Sequence, residues 1–199
     1  MNARIKYDIV SCQLQASAET ILGVMPQSDE IQHAADFLVD GLRQGHAVFT
    51  AGNGGSAAEA MHMAEELTGR FRSNRVSLPG ISLNADGTLL TCIGNDFGFD
   101  HIFSRQLEGL GRPDDMLVLF STSGNACNLR AAVCAAREKN MHVIGLLGRD
   151  GGAIAGMCDI EILVQGNGTE RIQEAHQVIM HIWLQAVEDA FAVDQERFS

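Results

Sequence analysis

Apolar residues recur at helical spacing through the N-terminal segment and then give way to short continuous runs. Ile5, Ile9, Leu14, Ile21 and Leu22 mark an amphipathic stretch over 3–24, closed by Pro26. Ser28 or Asp29 is placed to cap a second helix, whose face carries Ile31, Ala34, Ala35, Leu38, Val39 and Leu42. Four or five short apolar runs follow, at 47–51, 81–84, 116–121, 142–148 and 160–164. Helical patterns separate most of them. A long helix over about 170–192 ends the pattern, rich in large side chains such as Val178, Ile179, Ile182 and Trp183. Strands alternating with helices predict an α/β fold, a parallel sheet covered on both faces. No internal repeat or interdomain linker interrupts the chain. The expectation is one domain over 1–199, with a helical segment at about 1–45 and an α/β core at about 46–192. Residues 72–79 read as a polar loop without further feature.

Composition narrows the class of ligand. The chain has 199 residues, enough for a sizeable core, with 46% hydrophobic and 20% charged residues. Its net charge of −11 argues against nucleic acid and against an anionic membrane surface. An anionic ligand therefore needs a local positive site, such as backbone N–H groups at a helix start. The five cysteines are an odd number without a C-x-x-C pair, which fits reduced thiols in a cytoplasm. No apolar run reaches membrane length, and the first residues lack a signal-peptide pattern.

In a parallel α/β fold, ligands bind at the carboxyl ends of the strands. The first run is followed by Gly52-Asn53-Gly54-Gly55-Ser56, a turn that fits either an anion cradle or an ordinary strand-to-helix junction. It is neither a Walker loop nor a dinucleotide fingerprint. The third run ends in Ser121, Thr122, Ser123, Gly124 and Asn125. Three hydroxyls beside a helix start hold a phosphate without lysine or arginine, or serve as helix caps. Beyond the second run, Asn95 and Asp96 are placed to bind sugar hydroxyls or to form an Asx turn.

His62 and Glu66 stand four apart on one predicted helix. Such a pair can share a metal, act as acid and base, or simply face solvent. Glu65, beside them, points about 100° away from Glu66 on an ideal helix. The last helix carries Gln173, His176 and His181. Residues 173 and 181 lie about 12 Å apart along an ideal axis, so one metal reaches both only if side chains lean together or a second chain contributes.

The segments AGNGGSAAEAMHMAEELTGRF, GNDFGFDHIFSRQLE, STSGNACNLRAAVCAAREKNMHVIGLLGRDGG and RIQEAHQVIMHI together closely resemble the phosphoheptose isomerases of the sugar isomerase (SIS) family. The resemblance runs over nearly the whole chain. It implies a single SIS-type domain with a five-stranded parallel sheet flanked by helices, N-terminal helices and a long C-terminal helix. It also implies a cytoplasmic homotetramer with active sites at subunit interfaces and one zinc per subunit. The implied reaction converts sedoheptulose 7-phosphate to D-glycero-D-manno-heptose 7-phosphate, an early step toward the heptose of lipopolysaccharide core. Carried over residue by residue, zinc falls to His62, Glu66, Gln173 and His181, and catalysis to Glu66 as base and His181 as acid. Substrate contacts fall to Asn53, Gly54, Gly55, Glu66, Asn95, Asp96, Ser121, Thr122, Ser123 and Gln173.

Two positions depart from the family pattern. Ala126 stands where the serine-rich loop usually has another serine, removing a donor of roughly 0.5–1.5 kcal/mol. Glu170 stands where aspartate is usual. Some members of the family lack catalysis and bind the replication initiator, and others isomerise or sense different phosphosugars. Retention of all four residues of the His/Glu/Gln/His set favours the isomerase.

Overall fold

The computed structural model describes residues 3–192, with side chains from residue 8 onward. The side chain of Ile5 therefore lies outside the described residues. In chain order the elements are α1 (Ala3–Leu22), α2 (Ser28–Arg43), β1 (Val48–Gly52), α3 (Gly55–Thr68), β2 (Gly80–Ser82), α4 (Gly87–Phe97), α5 (Ser104–Leu110), β3 (Met116–Ser121), α6 (Cys127–Glu138), β4 (His142–Gly148), β5 (Ile160–Val164) and α7 (Thr169–Phe191). The strands form one parallel sheet in the order β2-β1-β3-β4-β5.

The core divides into two layers, one on each face of the sheet. β3 is buried along its whole length, as a central parallel strand must be. Its Val118 and Phe120 pack with α2, α3 and α7, through Leu38, Met63, Ile179 and Trp183. Its Leu117 and Leu119 point the other way, to Phe103 and Leu107 of the α5 region and Leu129 and Val133 of α6. Each buried apolar side chain of this size contributes about 1.5–3 kcal/mol. The Trp183 indole spends its N–H on the Ile31 carbonyl at 2.9 Å, tying α7 to α2. On α2 the buried face is Ile31, Ala34, Ala35, Leu38, Val39 and Leu42. α1 behaves differently: Ile9, Val10, Leu14 and Leu22 are exposed, and Ile21 packs against the core.

Two local expectations need correction. Neither Ser28 nor Asp29 caps α2. A single 3-10 turn, Met25–Gln27, leads directly into the helix, and the Ser28 hydroxyl donates back to the Met25 carbonyl at 2.6 Å. Gln27 instead reaches the edge strand β5, donating to the Leu163 carbonyl (2.8 Å) and accepting the Leu163 N–H (2.9 Å). Asn95 and Asp96 do not form an Asx turn after a strand. They lie on the last turn of α4, which starts at an Asp86 cap accepting the N–H groups of Thr88 and Leu89. Apolar spacing continues through Gly94, so the helix runs past the point where glycine and asparagine signal a loop.

Candidate active site

β1 leads to β2 on one side and β3 leads to β4 on the other, so the strand order reverses between β1 and β3. Ligand crevices in open parallel sheets form at such a point. The turn after β1 holds Asn53 and Gly54; the loop after β3 holds Thr122, Ser123, Gly124 and Asn125. A reciprocal amide pair joins the two sides: Asn53 donates to Asn128 Oδ1 at 2.8 Å, and Asn128 donates to Asn53 Oδ1 at 2.9 Å. Asn84, just past β2, brackets Gly52, donating to its carbonyl (2.9 Å) and accepting its N–H (3.1 Å).

The loop after β3 holds its own shape. The buried Ser121 hydroxyl oxygen accepts the Gly124 N–H at 3.0 Å, and Ser123 Oγ accepts the Asn125 N–H at 3.3 Å. Asn125 donates to the Ser123 carbonyl (2.9 Å) and accepts the Ala153 N–H (3.0 Å). Gly124 sits at φ +61°, and a Cβ there would collide with the Gly151 carbonyl. Only glycine fits. Ala126 then occupies the cap position of α6 without a side-chain cap, leaving the first helical N–H groups open to an anion. Thr122 and Ser123 are half-buried beside them.

The second part of the site is the seam between α3 and α7. His62 Nε2 lies 3.3 Å from Glu66 Oε1, and Nδ1 lies 3.4 Å from the Gln177 amide nitrogen. The His181 ring stands edge-on to His62, with centroids 5.2 Å apart. Phe71 stacks on His181 at 5.8 Å. Burial, then His62, then Arg72 hold His181 below the usual imidazole range, with Glu66 pulling the other way. At the other end of the seam, Gln173 lies against Gly55, where any Cβ would run into its amide. Gly55, Glu59, His62, Gln173, Glu174 and Gln177 line a cavity of about 470 Å³.

The seam thus gathers His62, Glu66 and His181, and puts Gln173 in the same cavity as His62. Asn95 and Asp96 stand apart, exposed and bonded to each other at 2.7 Å. Among the described residues they make no hydrogen bond to the switch-point turns. Glu65 is closer to the pair than its 100° offset from Glu66 suggests. Its carboxylate joins ligand atoms of His62 and Glu66 within 4.8 Å. The reason is its i+3 relation to His62, which puts both on neighbouring ridges of the helix.

Three residues escape a reading of motifs. Gln177 carries a signal in its spacing, since 173, 177 and 181 repeat every four residues along α7. Glu59 is buried one turn before His62, and among the described residues neither of its carboxylate oxygens has a hydrogen-bond partner. Burial pushes its carboxyl up to about 7, against a smaller pull from the Ser56 hydroxyl. The stretch 72–79 is more than a polar loop, because its Arg75 is buried and faces Glu188 of α7 at 3.5 Å.

An open parallel sheet with a serine-rich loop at its switch point, and no Walker loop, defines an α/β domain class built to hold an anion. Residues 14–148 match the family model of the SIS domain. The phosphoheptose isomerase of Enterobacter sp. (strain 638) is 47% identical over 185 residues, covering 91% of this chain and 96% of its own. That of Escherichia fergusonii is 47% identical over 189 residues, covering 93% and 98%. The solved structure of the phosphoheptose isomerase from Neisseria gonorrhoeae superposes with a TM-score of 0.87 at 39% identity, covering 92% of this chain and 98% of that one. The chain belongs to the SIS domain family and, within it, to the phosphoheptose isomerases.

Proposed function

We propose that this chain interconverts sedoheptulose 7-phosphate and D-glycero-D-manno-heptose 7-phosphate, supplying heptose for lipopolysaccharide core. The observation that carries this reading is the convergence of Glu66, His62 and His181 at one seam, on a chain whose relatives at 47% identity are named phosphoheptose isomerases.

The reaction moves a proton from carbon 1 to carbon 2 and a second proton from the carbon-1 hydroxyl to the carbon-2 oxygen, through an enediolate. The carbon-bound proton is weakly acidic, so a fixed base and a charge-stabilising partner are both needed. Glu66 is the base that takes the proton from carbon 1. His181 returns a proton to carbon 2 or to the adjacent oxygens. Its neutral imidazole offers one N–H and one lone pair, so it can both give and accept. The phosphate lies against Ser121, Thr122, Ser123 and the open start of α6, with Asn53, Gly54 and Gly55 facing the sugar. Anchoring the far end of the sugar aligns the reacting carbons. Asn95 and Asp96 reach a substrate in this scheme only from a neighbouring subunit or after a shift of α4.

The residue types suit zinc. Imidazoles and carboxylates are donors that zinc accepts, and at this seam ligand atoms of His62, Glu65 and Glu66 lie within 4.8 Å of one another. His62, Glu66, Gln173 and His181 would hold one ion per subunit. When bound, the ion supplies a Lewis acid for the carbonyl oxygen.

Self-association as a homotetramer is supported by Ile9, Val10, Leu14 and Ile182, which the chain's own core leaves exposed. A cytoplasmic setting is supported by five unpaired cysteines. Purified protein incubated with sedoheptulose 7-phosphate is expected to yield the aldose, read by mass-resolved chromatography after derivatisation. Turnover of a hexose or pentose phosphate instead, or of none, overturns the assignment.

A further inference from the structure

We infer that Arg75 and Glu188 form a buried clamp that sets the spacing of Glu66 and His181 across the seam, which makes them positioning residues for the isomerisation; the inference rests on the isomerase reading above. Both are charged and almost wholly enclosed, at 8% and 5% exposure. Arg75 Nη1 donates to the carbonyls of Leu67 and Val76, each at 2.8 Å, and Nη2 donates to the carbonyl of Glu66. The last carbonyls of a helix have no partner within it. Arg75 therefore closes the end of α3, and one of the carbonyls it holds belongs to the proposed base.

Glu188 completes the span. Its Oε2 lies 3.5 Å from Arg75 Nε, and its Oε1 accepts the N–H groups of Arg72 (3.2 Å) and Ser73. Residue 188 lies seven positions after His181, two helical turns, so both project from one face of α7. The segment between the two anchors presents Phe71, which stacks on His181, and Arg72, which bonds Gln185. One guanidinium and one carboxylate thus join the end of α3, the wall behind His181 and the face of α7 that carries His181. A lysine ammonium cannot reproduce this, since only a planar fork reaches three carbonyls and a carboxylate from fixed directions.

The test compares Arg75→Lys, Glu188→Gln and the double variant with the parent and with Leu107→Ala, a cavity in the opposite core layer. Thermal melts set a temperature at which each protein is folded, and kcat and KM for sedoheptulose 7-phosphate are measured there. The clamp variants are expected to lose about ten- to a hundredfold in kcat per folded molecule with KM within about twofold. The double variant is expected to be no slower than the worse single variant, because the two residues act as one unit. Leu107→Ala is expected to lose melting temperature and keep both kinetic constants. Parent-like kcat in the clamp variants overturns the inference. The imidazole proton resonance of His181, assigned with His181→Gln, gives a readout that does not depend on turnover. Arg75→Lys is expected to move it and Leu107→Ala to leave it. An unmoved resonance overturns the clamp, whereas a parent enzyme that fails to turn over overturns only the isomerase reading.

Discussion

The switch-point turns and the α3–α7 seam, the two halves of the proposed site, hold their polar groups in opposite ways. In the loop after β3, most polar atoms bond within a few residues: Ser121 to Gly124, Ser123 to Asn125, Asn125 to Ser123. Glycine enforces the rest. In the seam, both oxygens of Glu59, one of Glu174 and the amide oxygen of Gln177 are buried without a partner among the described residues. Leaving a buried acceptor unpaired costs about 1–3 kcal/mol. The turns are finished by the chain itself, whereas the seam keeps acceptors that no described group of the chain satisfies. On the proposed reading, a site divided in this way would hold the unreactive phosphate rigidly and keep its free polar capacity for the reacting end.

Substitutions sharpen or break this contrast. Glu66→Gln and His181→Gln are expected to lower kcat on sedoheptulose 7-phosphate by about 10²–10⁴-fold, the range for a removed general acid or base. Rates within a factor of about two of the parent would sink their assigned roles. Gly124→Ala attacks the turns. The positive φ and the Gly151 carbonyl together predict a loss of about 3 kcal/mol or more in urea unfolding. Parent stability there would mean that the loop is far softer than its hydrogen bonds imply.

Glu59→Gln probes the seam through pH. The Glu59 carboxyl ordinarily titrates at 4.5 and is held up to about 7, so between those values the native state keeps a proton that the unfolded chain has released. Its contribution is fully present below pH 4.5 and is lost as pH rises through 7. His176 of α7, fully buried, is held by burial from 6.5 down to about 4. Below 6.5 the unfolded chain takes up a proton that the native state refuses, so stability falls with pH down to about 4. Each slope integrates to about 3 kcal/mol, and over the shared window they oppose each other. The parent is expected to be nearly flat there. Glu59→Gln is expected to gain up to about 3 kcal/mol near pH 7.5 and to show the uncovered histidine slope toward acid, read by urea denaturation. Curves parallel to the parent at every pH would remove the unpaired carboxylate from the account.

The smallest effect belongs to Ala126→Ser. A serine at the cap of α6 is expected to add about 1 kcal/mol to stability and to lower KM by no more than about tenfold. An unchanged KM together with higher stability would mean that the new hydroxyl caps the helix and never meets the phosphate.

What could be read from the sequence follows the same divide. The buried face of α2 and the runs that became β3, β4 and β5 carry a local signal, apolar spacing, and their limits were legible. The glycine turn and the serine-rich loop were legible as well, because their chemistry lies in consecutive residues. The pairing of Asn53 with Asn128, 75 positions away, left no such trace. Nor did the union of Arg75 with Glu188, since a lone arginine in a polar stretch looks like any solvated loop. Asn95 and Asp96 misled because residues that favour turns are also tolerated at the end of a helix when apolar spacing carries it that far. Contacts that tertiary packing creates between distant segments have no periodicity to announce them.

Gln27, finally, has a part to play far from any substrate. By engaging both main-chain groups of Leu163, it occupies the place on β5 where the backbone of a foreign chain would otherwise add itself as a sixth strand. Open sheet margins are templates for runaway association, and proteins usually blunt them with charge, proline or bulges. Here one neutral amide covers the Leu163 position of that margin, leaving a foreign strand fewer free groups to pair with.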